Sequence, residues 1–324
     1  MPSPETLQPT TTENCSFKTA DGSVLTGILV SSTKTHLPRS NYVAIFIHGL
    51  WQHKNIAFLK RFGQTIPGDP EFEGLSTFRF DVRGLGKSEG RTSFTPHFSN
   101  KEDLEAAIAF VESRGYAVHC LYGYSAGGNV SMMYAGTANK GKKIPYIVNS
   151  SARFEMDGIE DTLSEDNRTL LRETGSYTFR FTKRGRPVEC VVSQQDIELF
   201  KSIDMKKYCE SIPFETRVLL THGLDDVRVP PEDSARFATS IVNMTQHLLP
   251  NCDHGYKGTE VVESLYAVFK EWYLRDAERH TERRLHAARK GKGKLGTDFF
   301  GTWASTHEFA VEHGDLPGGQ ENGG

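Results

Sequence analysis

The sequence predicts an α/β protein in which helices cover both faces of a mostly parallel sheet. Short apolar runs alternate along the chain with segments of helical spacing, and this alternation is typical of such a sheet. The run from 42 to 47 is continuously apolar, as in a strand that is buried on both faces. The other predicted core strands cover 77–82, 117–122, 146–148, 217–221 and 246–249. Helical segments between these runs predict crossover connections, which leave the strands pointing the same way.

The composition excludes several classes of partner. The chain has 324 residues and a formal net charge of −3, so no general electrostatic attraction to nucleic acid is expected. No apolar run approaches the length of a membrane span, and the polar first residues show no secretory signal. The five cysteines are odd in number and contain no C-x-x-C, which fits a reducing compartment. We therefore expect a cytoplasmic protein without a nucleic-acid partner or stable membrane insertion.

Composition also predicts the domain boundaries. Residues 1–16 are polar and rich in Pro and Thr, and we expect them to be disordered. Residues 17–275 form the predicted α/β domain. Within it, 153–212 are polar and charged and interrupt the alternation, which predicts a lid insertion over the carboxyl edge of the sheet. Residues 276–324 read as a charged helical extension followed by a disordered tail.

The central motif is the pentapeptide from Gly123 to Gly127, which has the pattern G-x-S-x-G around Ser125. It lies between a predicted buried strand and a helix rich in small residues, and this context defines a nucleophile elbow. The sharp turn holds the serine in a strained backbone conformation, and the flanking glycines leave room for neighbouring backbone. Taken alone, the pattern is also compatible with a glycine-rich turn that happens to contain serine.

The rest of the chain supplies the partners that a nucleophilic serine needs. A serine hydroxyl requires a base, and the base requires an orienting carboxylate, in the chain order serine, acid, histidine. Asp225 and Asp226 follow the predicted strand 217–221, and His254 follows the last predicted strand. Because the carboxyl ends of parallel strands share one edge of the sheet, we expect these residues to converge on Ser125.

An oxyanion that develops on the substrate needs preorganised donors. The backbone amide of Ala126, immediately after the serine, is one predicted donor. The amide of Leu50, in the loop after the strand 42–47, is the other. The neighbouring His48 is interpreted as a structural histidine rather than a second base.

These motifs resemble those of the α/β-hydrolase superfamily over about residues 17 to 275. The matching positions are His48-Gly49, Asp81-x-Arg83-Gly84-x-Gly86-x-Ser88, Gly123-x-Ser125-x-Gly127, Asp226-x-x-Val229-Pro230 and Asp253-His254-Gly255. Within the superfamily the sequence is similar to microbial cinnamoyl/feruloyl-type esterases and their plant and fungal relatives. The resemblance implies the α/β-hydrolase fold with a small lid insertion. It also implies a catalytic triad of Ser125, Asp226 and His254, because the family's carboxylate stands three residues before Val229.

Two competing kinds of site are not supported by the sequence. Residues 84–88 resemble part of a phosphate-binding loop, but Asp81 stands where that loop needs its first glycine. We therefore interpret the segment as a structural turn beneath the site. The histidines show no metal-ligand spacing, so neither a metal nor another cofactor is expected.

The predicted function is hydrolysis of a carboxylic ester of a small molecule through an acyl-enzyme intermediate, with an amide or thioester as the other possible substrates. A serine aminopeptidase would use the same triad and would need acidic lid residues to bind the substrate's amine. The candidates for that role are Glu155, Asp157, Glu160 and Asp161. An acylglycerol lipase would need a more apolar lid than 153–212. A non-catalytic binding protein on the same fold is the remaining alternative, against which the intact triad argues.

Overall fold

The computed structural model describes residues 1–137, 144–183 and 186–290. The strands are β1 (Thr10–Lys18), β2 (Val24–Ser32), β3 (Tyr42–Ile47), β4 (Ser76–Asp81), β5 (Ala117–Tyr124), β6 (Tyr146–Ser150), β7 (Ser176–Lys183), β8 (Arg186–Ser193), β9 (Arg217–Gly223) and β10 (Met244–Leu249). The helices are α1 (Ala57–Thr65), α2 (His97–Ser113), α3 (Ala126–Gly136), α4 (Glu165–Thr174), α5 (Gln194–Lys201), α6 (Met205–Glu210), α7 (Glu232–Ser240) and α8 (Thr259–Lys290). Short 3-10 helices cover Pro4–Thr6, Ile66–Gly68, Pro70–Phe72 and Met156–Thr162.

The main sheet is mostly parallel, as predicted. Among the described residues eight strands follow the order β1-β2-β4-β3-β5-β6-β9-β10. β1 and β2 are antiparallel to their neighbours, whereas every pair from β4 to β10 along this order is parallel. The carboxyl ends of β5, β9 and β10 therefore open on one edge, and the predicted site residues follow these ends in the chain.

Helices cover both faces of this sheet, and alternate side chains of β3 pack against the helices on each face. Ile45 and Ile47 join an apolar cluster that includes α2 and α3. Ala44 and Phe46 join a second cluster on the other face, with side chains of α1 and α8. Because successive side chains of a strand point to opposite faces, a strand buried on both sides must be apolar throughout.

The first strand corrects one sequence expectation. Residues 1–16 were expected to be disordered, but β1 pairs with β2 in continuous register from Thr10 to Lys18. Only Cys15 and Phe17 of this strand are buried. A polar strand at the edge of a sheet buries little apolar surface, so its composition resembles that of a disordered segment. Pairing with β2 and these two anchors hold it in place.

Between β6 and β9 the chain forms the helices and the β7–β8 hairpin of the region predicted as an insertion. This hairpin is a separate antiparallel pair, from Ser176 opposite Ser193 to Lys183 opposite Arg186. The ring of Phe200 on α5 packs edge-on against His97 with centroids 5.0 Å apart, and it also contacts Phe94. The Thr95 hydroxyl donates a hydrogen bond of 2.6 Å to the Asp196 carbonyl. The insertion is thus docked on the segment that leads into α2.

The last helix, α8, packs its early turns against the sheet and continues to Lys290. A compact unit extends over Met1–Ala277. The extension predicted over 276–324 is helical as far as Lys290, and its remainder lies outside the described residues. In the described part of the chain, no helix combines the length and apolar character needed to cross a membrane.

Candidate active site

The pentapeptide around Ser125 forms the sharp turn that its sequence predicts. β5 ends and α3 begins on either side of Ser125, which has φ 53° and ψ −124°. A Cβ atom on Gly123 would lie 2.3 Å from the Gly127 carbonyl oxygen. One on Gly127 would lie 2.3 Å from the Ile47 carbonyl oxygen. Both positions therefore exclude any side chain, and the glycines are what allow the serine to project from the end of β5.

The structure brings Ser125, Asp226 and His254 together. The His254 Nε2 atom lies 3.1 Å from Ser125 Oγ. On the other side of the ring, His254 Nδ1 lies 2.7 Å from Asp226 Oδ2. A carboxylate only accepts hydrogen bonds, so Nδ1 donates to it and Nε2 is left free to accept the hydroxyl proton. This arrangement can move a proton from Ser125 to His254 and stabilise the resulting cation.

The carboxylate of Asp226 is buried and held by several donors. Its Oδ1 accepts hydrogen bonds of 2.9 Å from the backbone amides of Arg228 and Val229. Burial by itself raises the pKa of Asp226, but hydrogen bonds from His222, His254 and the Val229 amide outweigh burial and hold the pKa well below its usual range. Asp226 therefore stays ionised at neutral pH. Asp225, by contrast, is exposed.

His222 is a residue of this site to which the sequence analysis gave no role, since it lies just after the predicted strand 217–221. It is the penultimate residue of β9, and its Nε2 lies 3.0 Å from the Val229 carbonyl oxygen and 3.3 Å from Asp226 Oδ2. Because both oxygens are acceptors, the proton belongs on Nε2. Its Nδ1 is buried without a partner among the described residues. A histidine four residues before the candidate acid, at the end of the same strand, was the available signal.

Two tyrosines fasten the loop that carries His254. The hydroxyl of Tyr124, the residue before the serine, donates 2.9 Å to the His254 carbonyl oxygen. The hydroxyl of Tyr256 donates 3.0 Å to the Thr221 carbonyl oxygen and contacts the Ser151 hydroxyl at 2.8 Å. Burial raises the pKa of both phenols, which keeps them protonated as donors. The His254 loop is thus joined to the ends of β5, β6 and β9.

The loop after β3 runs directly beside the serine. A Cβ atom on Gly49 would lie 3.0 Å from Ser125 Cβ. The Gln52 amide donates a hydrogen bond of 3.1 Å to the Gly49 carbonyl oxygen, and this bond closes a tight turn around Leu50. Within the part of the chain that the structure describes, no protein acceptor is found for the amide of Leu50 or of Ala126. Both amides are thus without a backbone acceptor in the described chain, and their role as oxyanion donors stays a prediction.

His48 binds backbone groups, as its interpretation as a structural residue predicts. It is buried, and its Nδ1 donates 2.9 Å to the Gly49 carbonyl oxygen. Its Nε2 accepts a hydrogen bond of 3.2 Å from the Val82 amide. Both ring nitrogens thus connect the loop after β3 to the loop after β4, beneath the site.

Residues 84–88 wrap a buried carboxylate rather than a phosphate. Asp81 forms a buried ion pair with Lys54 and accepts 2.9 Å from the Lys87 amide. A Cβ atom on Gly86 would lie 2.1 Å from Asp81 Cγ, so the turn closes tightly over the acid. Burial by itself raises the pKa of Asp81, but the charge of Lys54 and the hydrogen bonds from Lys54 outweigh burial and hold the pKa below its usual value. The interpretation as a structural turn is confirmed.

Two of the four acidic residues considered for amine binding are engaged by cations of the protein. Glu155 pairs with Arg236, and Glu160 pairs with Lys201. The other two candidates, Asp157 and Asp161, lie outside these pairs. No cluster of metal-ligating side chains occurs among the described residues.

Comparison with known proteins agrees with this architecture. The family described as "Serine aminopeptidase, S33" matches residues 40–178. The esterase Est1E from Butyrivibrio proteoclasticus, solved with ferulic acid bound, is 20% identical with a TM-score of 0.62, covering 80% of this chain and 98% of its own. A putative hydrolase from Agrobacterium vitis S4 is 15% identical with a TM-score of 0.61, covering 82% and 99%. Mouse α/β hydrolase domain-containing protein 10 is 17% identical with a TM-score of 0.58, covering 81% and 98%. No curated protein sequence matches the chain.

The structural comparisons show that the chain has the α/β-hydrolase fold, and the family match covers residues 40–178 of it. At 15–20% identity the structural likeness shows only that the folds are the same. The substrate preference depends on this chain's own side chains.

Proposed function

We propose that the protein hydrolyses a carboxylic ester of a small molecule, with Ser125 as nucleophile, His254 as general base and Asp226 as the residue that orients His254. The observation that carries this proposal is the continuous hydrogen-bonded chain from Asp226 through His254 to Ser125. A strained elbow presents the last member of that chain. Nucleophile, base and orienting acid are the components that acyl transfer requires.

In the proposed first half of the reaction, Ser125 Oγ attacks the acyl carbonyl carbon while His254 Nε2 takes the hydroxyl proton. Asp226 stabilises the imidazolium that forms. The amides of Leu50 and Ala126 donate to the negative charge on the former carbonyl oxygen. As the tetrahedral intermediate collapses, His254 returns the proton to the leaving alkoxide, and the alcohol departs.

In the second half, water attacks the acyl group that is now bound to Ser125. His254 Nε2 accepts a proton from this water, and the same two amides stabilise the second oxyanion. Collapse breaks the bond to Ser125 Oγ, which recovers its proton from His254. The acid is released and the enzyme returns to its starting state without a cofactor.

Two ion pairs of the insertion argue for an ester and against an aminoacyl substrate. The name of the matched family is the observation in favour of an aminopeptidase. Recognition of a substrate ammonium group needs an uncompensated carboxylate near the site. The ion pairs of Glu155 and Glu160 reduce that charge. An ester with neutral acyl and alcohol groups makes no such demand.

The proposed setting is the cytoplasm. All five cysteines are free and buried, so none needs an oxidising compartment for its stability. The near-neutral formal charge supports the proposal that the partner is a small molecule rather than nucleic acid.

A substrate panel combined with active-site labelling tests this function. The purified protein is assayed with p-nitrophenyl esters of graded chain length, aryl esters and aminoacyl amides. We expect ester turnover, and we expect a fluorophosphonate to add once, on the peptide that contains Ser125. Ser125→Ala is the matched control and should fold, remain unlabelled and lose turnover. Preferential cleavage of aminoacyl amides would favour the aminopeptidase, and absence of both labelling and turnover would refute catalysis.

A further inference from the structure

Trp51, which follows the candidate oxyanion donor Leu50, has an unusual backbone conformation. Its φ is 55°, in the left-handed region that bulky side chains rarely adopt. A residue remains in this region only where its surroundings hold it there, and such residues cluster at functional sites. The loop beside Ser125 therefore needs an external contact to keep its shape.

That contact comes from the insertion. The indole ring of Trp51 stacks on the ring of Phe179, with centroids 4.4 Å apart and an interplanar angle of 17°. Phe94, in the loop before α2, touches the same indole with centroids 5.9 Å apart. An offset stack of this kind fixes both the position and the tilt of a ring.

Phe179 is in turn held by strand pairing within the hairpin. It lies in β7, where it is paired across the hairpin with Cys190, a buried residue of β8. The following helix α5 is docked on the segment before α2 through Phe200 and Asp196. The ring that meets Trp51 is thus placed by strand pairing and by packing, independently of any substrate.

We propose that Phe179 is a positioning residue for the oxyanion hole: its stack on Trp51 holds the loop after β3 in the strained conformation that directs the Leu50 amide toward a carbonyl on Ser125. This inference rests on the proposed function and extends the role of the insertion. In addition to its predicted place over the carboxyl edge of the sheet, the insertion completes the catalytic constellation of the main sheet.

The physical consequence of losing this stack follows from the backbone. Without the ring, Trp51 relaxes to a negative φ, which rotates the Leu50–Trp51 peptide and displaces the amide that precedes it. One of two oxyanion donors is then misdirected. Removal of a single donor typically lowers kcat by about 10² to 10³, with little effect on substrate binding.

The test compares Phe179→Ala with two controls. Thr178→Ala changes the adjacent exposed residue of β7 and should leave kcat unchanged. Phe179→Tyr keeps the stacking ring and should preserve activity. We expect Phe179→Ala to lower kcat for p-nitrophenyl acetate by about 10², with KM changed less than about threefold. The small acetyl group separates this effect from any change in acyl-pocket size.

A double-mutant cycle identifies the route of the effect. In a Trp51→Gly background, glycine takes the positive φ without a ring to hold it. Adding Phe179→Ala to that background should change kcat by less than about twofold, because the stack that Phe179 makes with Trp51 is already absent. Circular dichroism and thermal unfolding of each variant establish that the hairpin is still folded.

Two results would overturn the inference. One is a folded Phe179→Ala variant with the kcat of the wild type. The other is an equal loss of kcat from Phe179→Ala in the wild-type and the Trp51→Gly backgrounds, which would show that Phe179 does not act through Trp51. Failure of the proposed function has a different signature, because the wild type itself would then neither react with a fluorophosphonate nor turn over an ester.

Discussion

Replacing Asp226 by asparagine changes one atom of the buried carboxylate and exchanges an acceptor for a donor. In the folded protein the asparagine carbonyl can still accept the amides of Arg228 and Val229, as Asp226 Oδ1 does. Its NH₂ group must then face His254 Nδ1, where Asp226 Oδ2 now accepts. His254 can satisfy this group only by carrying its proton on Nε2. In that tautomer it cannot take the proton of Ser125.

The loss of activity should be large because the wrong tautomer removes the base altogether. In triads of this geometry the substitution lowers turnover by about 10⁴, which corresponds to about 5 kcal/mol of activation free energy. The free energy of unfolding should also fall, by about 1–3 kcal/mol, because the side chain is buried and its partner His222 loses a charged acceptor.

Asp225→Asn is the matched control, since it makes the same chemical change at an adjacent exposed residue. We expect less than about tenfold loss of turnover and a change in unfolding free energy within about 0.5 kcal/mol. Both variants are measured by initial rates on one p-nitrophenyl ester and by urea unfolding. Reversed activity losses would transfer the orienting role to Asp225. Small and equal losses would refute the reasoning, because no tautomer of His254 would then depend on either carboxylate.

Three further outcomes are expected. Burial lowers the pKa of His97 to about 4 in the folded protein, so the free energy of unfolding is highest above about pH 6.5, where this histidine is neutral in the unfolded chain as well. As the pH drops toward 4, the unfolded chain takes up a proton that the folded protein does not, and the free energy of unfolding should fall by about 3 kcal/mol. Urea unfolding at several pH values should show this loss, and His97→Phe should abolish it. His222→Leu removes a donor from the buried carboxylate of Asp226, so the free energy of unfolding should fall by about 1–3 kcal/mol in urea; an unchanged value would show that this contact does not stabilise the fold. Truncation after Asp276 should preserve turnover and melting temperature, since every candidate site residue precedes it; a large fall in melting temperature would show that the extension stabilises the domain.

The mostly parallel sheet and the elbow were accessible from sequence because local patterns encode them. A strand buried on both faces must be apolar, and the backbone around Ser125 leaves no room for side chains at Gly123 and Gly127. The chain order of acid and histidine after successive strands then placed the site residues at one edge. Each of these inferences needs only neighbours in sequence and the direction of the strands.

The remaining features depend on contacts between distant parts of the chain. β1 is polar because it lies at an edge, and only its pairing with β2 distinguishes it from a disordered segment. The stack of Trp51 on Phe179 joins a loop of the main sheet to the inserted hairpin, and no local pattern marks either residue. His222 was visible as a histidine, but its role depends on how the loop to Asp226 folds back over it.

At Ser125 the side chain that the proposed activity requires also imposes a strained backbone, which lowers the stability of the fold. Glycine would take φ 53° and ψ −124° without strain, and removing strain of this kind is worth about 1–3 kcal/mol, partly offset by the entropy that glycine loses on folding. A laboratory selection for heat resistance alone should therefore favour Ser125→Gly, and with it the loss of the proposed nucleophile. Directed evolution of a thermostable variant would have to select for turnover in every round.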